Sequence, residues 1–384
     1  MITNLKKFLN NPAFLSTGLI FAINSILFSF WVTRLPYVKD KLQLSEGELG
    51  LILFFLPLGA IASMSVISRF IRKWGAGKVT IVSSAFFCIA MIVPVTAEYV
   101  WVLAAGLFIG GMASGAMDIA MNAVAASMEK QYTTVIMSTC HGFFSLGGMV
   151  GAFIGSAMIG FKVDPFLQMA ISAIGLIAVL WLYIKPQVWL SGQEEGDTGP
   201  AFTLPTKPLL GLALVGVCIM LGEGAIADWS AVFIEDLTYK GSYVAGLGYA
   251  GFSMSMTIGR FWGDSIIDRL GARLIVQMGS ILAIGGGLLV ITGIPAITIS
   301  GFILMGLGYS CIVPVLFSAS SQVKGVSPSQ GIAAVATAGF SGFLIGPVLI
   351  GFIAESWSLR AGFIFLIVLA VVALFYSPRA LSMK

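Results

Sequence analysis

The sequence predicts an all-α membrane protein with twelve transmembrane helices in two pseudo-symmetric six-helix bundles. Three observations lead to this fold class: the apolar composition, twelve apolar runs of membrane-spanning length, and an internal repeat. Of the 384 residues, 58% are hydrophobic and only 10% are charged, whereas soluble domains carry about 25% charged residues. A chain of this composition requires the lipid bilayer as its solvent.

Twelve apolar runs of about twenty residues mark the predicted spans, numbered in chain order. They cover roughly 13–35, 47–70, 78–97, 100–127, 134–160, 165–185, 208–234, 243–264, 273–292, 295–320, 330–353 and 359–378. A polar segment containing "SGQEEGDTGP" separates the sixth span from the seventh. We therefore predict an N-terminal bundle over 1–185, a cytoplasmic linker over 186–207 and a C-terminal bundle over 208–384.

The distribution of Lys and Arg predicts the orientation of the spans. If the N-terminus is cytoplasmic, fourteen of the 21 Lys and Arg residues lie on the inside, six lie outside and Arg260 lies within span 8. Short cytoplasmic loops are enriched in Lys and Arg. The first apolar run lacks a small-residue cleavage site and is expected to be a retained span. We expect a multi-pass protein of a bacterial inner membrane, with both termini cytoplasmic.

The two halves of the chain repeat one another. The loop "RKWGAGK" after span 2 matches "DRLGARL" after span 8, and their glycines, Gly75 and Gly271, are 196 residues apart. Span 4 opens with "GLFIGGMASG" and span 10 with "GFILMGLGYS", with Gly106 and Gly301 separated by 195 residues. Parallel repeats of this kind are typical of secondary transporters, which hold their substrate site at the repeat interface.

Glycines recur at spacings of about four residues in spans 5 and 11. They are Gly147, Gly151 and Gly155 in span 5, and Gly342, Gly346 and Gly351 in span 11. Such spacing places the glycines on one helix face, where a neighbouring backbone can approach closely. It predicts close helix packing at equivalent places in the two halves.

The loop motifs resemble those of the major facilitator superfamily, over the whole length of the chain. Residues 264–273 read DSIIDRLGAR, which matches the family signature G-x-x-x-D-R-x-G-x-R/K except at the first glycine. The resemblance implies that Asp268 and Arg269 take part in a cytoplasmic gate. In the first half Arg72 stands where the family usually has Asp. The resemblance therefore implies this cytoplasmic gate for the second half and not for the first.

A further resemblance is to the fucose-permease-type branch of this superfamily. It rests on "GAMDIAMNAVAASME" in span 4 and "HGFFSLGGMVGA" in span 5, stretches that also occur in many uncharacterised bacterial transporters. Better-known members of the branch are sugar–proton symporters with an acid in span 4. The matching residue is Asp118, so the resemblance implies a sugar-like solute, with protons as the coupling ion.

Asp118 is a carboxylate in an otherwise apolar, small-residue span. A charge at the bilayer centre costs about 2.5–3.5 kcal/mol on insertion scales and marks a functional site. Asn122 follows one turn later on the same helix face. The pair is interpreted as a proton-coupling carboxylate with a polar neighbour, or as a structural hydrogen-bonded pair that holds spans 4 and 5 together.

His141 is the single histidine of the chain. It lies about 10 Å from the cytoplasmic end of span 5, and Asp118 about 15 Å from the same side. Since histidine exchanges a proton near neutral pH, the two side chains are candidates for a proton-coupling pair. The alternative is a neutral histidine that hydrogen-bonds a carbonyl.

Glu223 in span 7 and Asn24 in span 1 lie near the predicted midplane. In this superfamily spans 1, 4, 7 and 10 line the central cavity. The resemblance therefore implies that Glu223, Asn24, Asp118 and Asn122 approach one solvated cavity and bind the substrate. Glu223 is also the second candidate for proton coupling.

The outer ends of spans 1 and 7 carry matching residues. Arg34 and Asp228 are predicted to pair as an outer gate, and the alternative for Arg34 is a side chain that snorkels to the membrane surface. Trp31 and Trp229 are predicted to form a stacking surface for a ring-shaped substrate. The alternative is an aromatic belt at the membrane interface.

The motifs indicate transport rather than catalysis. No Walker A motif, zinc-ligand spacing or nucleophile motif occurs, so we expect no catalytic residues, metal or cofactor. The net charge of +4 gives no reason to expect nucleic-acid binding, and we expect a monomer. The predicted function is proton-coupled secondary transport of a small polar organic solute by alternating access. A proton-driven exporter of amphipathic or cationic compounds and a non-transporting receptor are the alternatives.

Overall fold

The computed structural model describes residues 7–184 and 203–382, apart from the side chains of Ser65, Asp264, Ser265 and Asp268. Helices are numbered to match the predicted spans. The first six are α1 (Pro12–Leu42), α2 (Glu46–Leu53 and Phe55–Trp74), α3 (Ala76–Ala90 and Ile92–Thr96), α4 (Val100–Tyr132), α5 (Met137–Gly160) and α6 (Pro165–Tyr183). The second six are α7 (Leu210–Leu237), α8 (Leu247–Leu270), α9 (Ala272–Val290), α10 (Pro295–Tyr309 and Ile312–Ser320), α11 (Pro328–Ser356) and α12 (Leu359–Ser382).

The described helices have the length and composition of membrane spans. Eleven of them are long and apolar enough to cross a bilayer. The remaining one, α8, has 24 residues, which is sufficient to cross a hydrocarbon layer of about 30 Å. Its composition is less apolar because it contains Arg260 and several hydroxyl residues. The predicted all-α membrane class is confirmed.

Three of the helices are interrupted, and each interruption precedes a proline. The first segments of α2, α3 and α10 end at Leu53, Ala90 and Tyr309. Pro57, Pro94 and Pro314 follow within five residues in each case. Proline has no N–H to donate to the carbonyl four residues earlier, and its ring clashes with that carbonyl. The helical hydrogen bonding is therefore interrupted at each of these places, while the backbone stays in the right-handed helical region.

Contacts between helices divide the chain into two compact units. The described part of the first unit comprises 7–44, 52–184 and 241–246, and that of the second comprises 45–51, 203–240 and 247–382. The predicted linker lies mostly outside the described residues. The predicted domain boundaries stay a prediction.

The same pairs of helices pack together in each unit. In the first unit the main contacts are α1 with α5, α2 with α4, α3 with α4, and α3 with α6. The corresponding contacts of the second unit are α7 with α11, α8 with α10, α9 with α10, and α9 with α12, and α7 also packs extensively against α12. Each pair in one unit corresponds to a pair six helices further along the chain. The repeat seen in the sequence is therefore also a repeat of packing.

The spaced glycines lie where two helices approach closely. A Cβ atom at Gly151 of α5 would lie 2.5 Å from the carbonyl oxygen of Ile26 in α1. In the second unit, a Cβ at Gly342 of α11 would lie 2.9 Å from the carbonyl oxygen of Val217 in α7. The close packing predicted for spans 5 and 11 is confirmed.

The repeated loop glycines share a backbone conformation. Gly75 joins α2 to α3 with φ 84° and ψ 151°, and Gly271 joins α8 to α9 with φ 78° and ψ 155°. Residues with a Cβ atom are almost never found in this region of φ/ψ space. The glycine of each loop motif is therefore required by the single-residue turn between two helices.

Candidate functional site

Asp118 and Asn122 form a hydrogen-bonded pair on one face of α4. Asn122 Nδ2 donates to the backbone carbonyl of Asp118 at 2.8 Å and to Asp118 Oδ1 at 3.3 Å. Both side chains are half-buried. The pairing lies within α4, so this bond does not itself tie α4 to α5.

The opposite face of α4 is packed in the first unit. Ala116 and Ala120 form a buried apolar cluster with Ile67 of α2 and Val79 of α3. Asp118 lies two residues from each alanine, which is a rotation of about 200° around the helix. The carboxylate therefore points away from the α2–α3 contact, and its helix face is free of that apolar packing.

His141 of α5 is half-buried and packs against α1. Its ring lies 5.3 Å from the ring of Phe21, edge to face at an interplanar angle of 76°. The described side-chain hydrogen bond of the Asp118 carboxylate comes from Asn122. The structure thus brings His141 to Phe21. The proton-coupling role of His141 stays a prediction.

Glu129, near the end of α4, caps the start of α5. Its Oε1 accepts hydrogen bonds from the backbone N–H groups of Ile136 at 2.6 Å and Met137 at 2.8 Å. These N–H groups lie at a helix N-terminus, where they lack intrahelical partners and favour a negative charge. The carboxylate of Glu129 therefore fixes the turn between α4 and α5.

Arg34 is buried inside the first unit. Its Nε donates to Gln168 Oε1 of α6 at 2.8 Å, and its Nη2 donates to the same oxygen and, at 2.7 Å, to the carbonyl of Val163. The charge of Asp164 also acts on the guanidinium. With 6% exposure, Arg34 does not snorkel to the membrane surface. It ties the C-terminal part of α1 to the start of α6.

Trp31 and Trp229 are fully buried, with exposures of 1% and 0%. An aromatic belt requires rings at the membrane surface, so that interpretation is wrong for both. Trp229 packs near Gly351 of α11, and its indole Nε1 has no described hydrogen-bond partner. The predicted stacking role of the two rings stays a prediction.

Glu223 of α7 forms an ion pair with Arg260 of α8. The distance from Arg260 Nη2 to Glu223 Oε2 is 3.9 Å, and the two side chains are 18% and 12% exposed, respectively. Glu223 Oε1 is buried and has no described hydrogen-bond partner. One oxygen of this carboxylate therefore keeps a hydrogen-bond acceptor that no described donor uses.

Tyr309 of α10 borders this ion pair. Its hydroxyl lies beside the α7 backbone, 2.6 Å from a Cβ atom built at Gly222. The carboxylate of Glu223 acts electrostatically on the phenol, which is 1% exposed. The described ion pair thus joins α7 to α8, and Tyr309 of α10 packs beside α7 one residue before Glu223.

No described hydrogen bond or ion pair joins the other predicted polar residues to these groups. Asp228 of α7 is half-buried and has no hydrogen-bond or ion-pair partner among the described residues. Asn24 of α1 is 4% exposed. Arg269 is exposed at the end of α8, and the side chain of Asp268 lies outside the described residues. The predicted outer and cytoplasmic gates therefore stay predictions.

Several site residues were not found by reading the sequence. Gln168 is an unremarkable glutamine in an apolar span, and no local signal joins it to Arg34. Arg260 is a charged residue within span 8 of the sequence. Because a charge inside the membrane is energetically costly, its position indicates that it needs a partner of opposite charge. No group of three or more His, Cys, Asp or Glu that could hold a metal occurs in the described part of the chain.

The fold and its polar residues define a polytopic membrane transporter. Two units with the same packing pattern carry carboxylates, an amide and an ion pair inside apolar spans, where such groups serve substrate and ion pathways. The chain belongs to the Major Facilitator Superfamily, whose family model matches residues 13–327. The resemblance found in the loop motifs is thereby confirmed.

Known proteins similar to this chain are bacterial transporters. An uncharacterized MFS-type transporter of Yersinia pestis is 33% identical, and the match covers 96% of this chain and 95% of the relative. A glucose/galactose transporter of Brucella abortus is 25% identical, with 94% and 91% covered. A crystal structure of a mutant of the nucleoside transporter NupG has a TM-score of 0.76 at 12% identity and covers 97% of this chain and 100% of that chain. At this low identity, the similarity to the NupG structure shows the fold alone.

Proposed function

We propose that this transporter is a proton-coupled carrier of a small polar organic solute, and that Asp118 carries the coupling proton. The observation that supports this is the environment of the carboxylate. Its described partner is the amide of Asn122, which is neutral, so no described cation balances the charge of Asp118. Its helix face is turned away from the apolar cluster of the first unit.

The physical reason lies in the cost of charge in the bilayer. An unbalanced carboxylate in a span costs about 2.5–3.5 kcal/mol on insertion scales, and protonation removes that charge. A loaded carrier can then close around a neutral side chain, and loss of the proton in the more alkaline compartment favours reopening. Symport results when proton and solute bind together, and antiport results when they compete.

The proposed solute is sugar-like. The Brucella relative, 25% identical over 400 residues, bears the name glucose/galactose transporter. This supports glucose and galactose as the first solutes to test. Asn24, Asn122, Glu223, Trp31 and Trp229 are the proposed substrate-binding residues, because amides, carboxylates and aromatic rings recognise hydroxyl-rich rings.

Uptake into proteoliposomes tests the proposal. Wild-type protein should accumulate radiolabelled galactose or glucose when an inward proton gradient is imposed. Asp118→Asn, which mimics the protonated side chain, should lose gradient-driven accumulation and keep equilibrium exchange of solute across the membrane. Glu98→Gln is the matched control, because Glu98 is an exposed carboxylate just before α4.

Two results decide the matter. If Asp118→Asn accumulates solute on the gradient as well as wild type does, Asp118 is a structural residue and Glu223 becomes the candidate for proton coupling. If wild type moves solute equally with and without the gradient, proton coupling itself is wrong.

A second candidate function is proton-driven export of amphipathic cations. Asp228 supports it, because this half-buried carboxylate of α7 has no partner among the described residues and is suited to meet a cation. Ethidium efflux from the same proteoliposomes tests it. Gradient-driven ethidium movement that is lost in Asp228→Asn would favour export over sugar uptake.

The proposed setting is a bacterial inner membrane, with a monomeric carrier whose termini are cytoplasmic. The charge bias of the loops supports this orientation. Cysteine labelling tests it with little background, since three of the four native cysteines are buried and the fourth is half-buried. A membrane-impermeant maleimide on intact cells should label Lys240→Cys and leave Ser191→Cys unlabelled. The reverse pattern would overturn the orientation.

A further inference from the structure

The junction of α2 and α3 is strongly basic. Four exposed cations lie within ten residues: Arg69, Arg72 and Lys73 near the end of α2, and Lys78 in the first turn of α3. The sequence contains no Asp or Glu in residues 49–97. This end of α2 therefore presents a concentrated positive charge with no acid near it in the chain.

These four cations also lack a partner in the folded protein. Their side chains make no hydrogen bond, ion pair or ring contact with any residue that the structure describes. The equivalent loop of the second half carries Asp264 and Asp268 beside two arginines, whereas the first half has Ser68 and Arg72 at those two places. The excess of positive charge is therefore particular to the first half.

Helix geometry directs three of the cations away from the packed side of α2. Ile67 and Ile71 belong to the apolar contact with α3 and α4. At about 100° per residue, Arg69 and Lys73 are each rotated by about 200° from the isoleucine two residues earlier, and Arg72 by about 100° from its neighbour. The three cations therefore share the face of α2 that points away from the core of the first unit.

Two exposed aromatic rings lie beside these cations. Phe70 and Trp74 are one helical turn apart, are 38% and 44% exposed, and have ring centroids 4.9 Å apart. They follow the apolar, membrane-spanning part of α2, Glu46–Met64. Aromatic rings at the ends of membrane spans lie at the level of the lipid headgroups. The neighbouring cations are therefore at the depth of the lipid phosphates.

The basic face of α2 consists of Arg69, Arg72 and Lys73, with Phe70 and Trp74 at its side. We propose that this basic face binds the phosphate headgroup of an anionic phospholipid. Clusters of Lys and Arg beside a membrane helix attract anionic lipids, and each cation contributes about fivefold in affinity. The aromatic rings, placed next to the span, favour a lipid over a soluble phosphate. The proposal is independent of the transported solute and of proton coupling.

A role in membrane insertion alone makes a different prediction. Lys and Arg in short loops set the orientation of the spans, and that role requires positive charge without a lasting lipid contact. In that case the folded protein binds anionic lipid no better at the basic face of α2 than at exposed cations elsewhere. The two roles are separated by measuring lipid binding to the folded protein.

Native mass spectrometry of detergent-purified protein measures this binding, with phosphatidylglycerol as the anionic lipid and phosphatidylcholine as the zwitterionic one. Wild type should prefer phosphatidylglycerol. The triple variant Arg69→Gln/Arg72→Gln/Lys73→Gln should bind phosphatidylglycerol about tenfold or more weakly than wild type and bind phosphatidylcholine unchanged. Arg72→Asp, which restores the acid that the family usually has, should lose more affinity than Arg72→Gln. If the triple variant does not fold, these two single variants decide.

The matched control removes three exposed cations of the second unit, in Arg273→Gln/Lys324→Gln/Arg379→Gln. It lowers the net charge by the same amount and should bind phosphatidylglycerol nearly as wild type does. An equal loss of affinity in the two triple variants would overturn the proposal, because net charge alone would then account for binding. An unchanged affinity in the α2 triple variant would overturn it as well.

Two further measurements identify the occupant. Glycerol 3-phosphate shares the phosphate and lacks acyl chains, so it should not displace phosphatidylglycerol at equal concentration; displacement would make a soluble phosphate the occupant and overturn the lipid site. Glu194→Gln/Glu195→Gln/Asp197→Asn neutralises the acidic segment between the two halves and should leave lipid affinity unchanged. Tighter lipid binding in that variant would assign the basic face of α2 to the acidic segment instead.

Discussion

The contact between α5 and α1 can be tested by adding one methyl group at Gly151. A Cβ atom at that position would lie 2.5 Å from the carbonyl oxygen of Ile26, 2.8 Å from its Cα and 2.9 Å from Cβ of Ser29. Two of these three contacts are with backbone atoms, which cannot rotate away as a side chain does. The alanine variant therefore forces α5 away from α1.

The size of the effect follows from these distances. Non-bonded carbon atoms are most stable about 3.5–4.0 Å apart, so relief of the clash requires a movement of about 1 Å. Overpacking of this kind costs about 1–3 kcal/mol. Replacing Gly by Ala also favours the helix by up to about 1 kcal/mol, and that gain has to be separated from the clash.

Gly175→Ala provides the matched control. Gly175 lies on the exposed face of α6, and a Cβ atom built there meets nothing within 4 Å. Both variants gain the same helix propensity, so their difference in stability isolates the clash. In thermal unfolding of detergent-purified protein, Gly151→Ala should be less stable than Gly175→Ala by about 1–3 kcal/mol. Equal stability of the two variants would show that α5 and α1 are not in close contact at this glycine.

Two further predictions concern the polar contacts of the first unit. Arg34→Met should destabilise the protein by about 2–3 kcal/mol, the scale of a buried charge-assisted hydrogen bond. In thermal unfolding, wild type should be the most stable, Arg34→Lys less stable and Arg34→Met the least stable. A methionine variant as stable as wild type would contradict the buried contact with Gln168. Glu129→Ala should cost about 1–2 kcal/mol through loss of the helix cap, with faster hydrogen exchange at the amides of Ile136 and Met137. Glu129→Gln keeps an acceptor and loses the charge, so its stability should lie between that of wild type and that of Glu129→Ala. Unchanged hydrogen exchange at these amides in Glu129→Ala would refute the cap.

Much of the fold follows from composition and periodicity. The number of spans, the packing glycines of α5 and α11, and the turn glycines Gly75 and Gly271 were all evident in the sequence. The interruptions of α2 and α3 were not, because proline is common in membrane helices and does not always break one. Pro36, for example, lies inside the continuous α1.

The polar contacts were harder to predict than the fold. Asp118 with Asn122 was found because partners four residues apart in a helix share a face. Arg34 with Gln168 was missed because the two are 134 residues apart, and Glu223 with Arg260 was missed because neither depth nor periodicity gives the rotation of one span relative to another. Local spacing identifies partners within a helix, whereas partners between helices depend on packing.

The internal repeat accounts for the helix packing of the two units, but it does not account for the positions of the carboxylates inside the spans. The same helix pairs pack in both units, and Gly75 and Gly271 make the same turn. Asp118 and Glu223 do not repeat: an offset of 195 residues relates Asp118 to Val313 and Glu223 to Phe28. Since an apolar residue at the equivalent position is compatible with the same helix packing, neither carboxylate is required by the fold. The transport roles proposed for Asp118 and Glu223 are consistent with this, and one carboxylate is partnered by an amide and the other by a guanidinium.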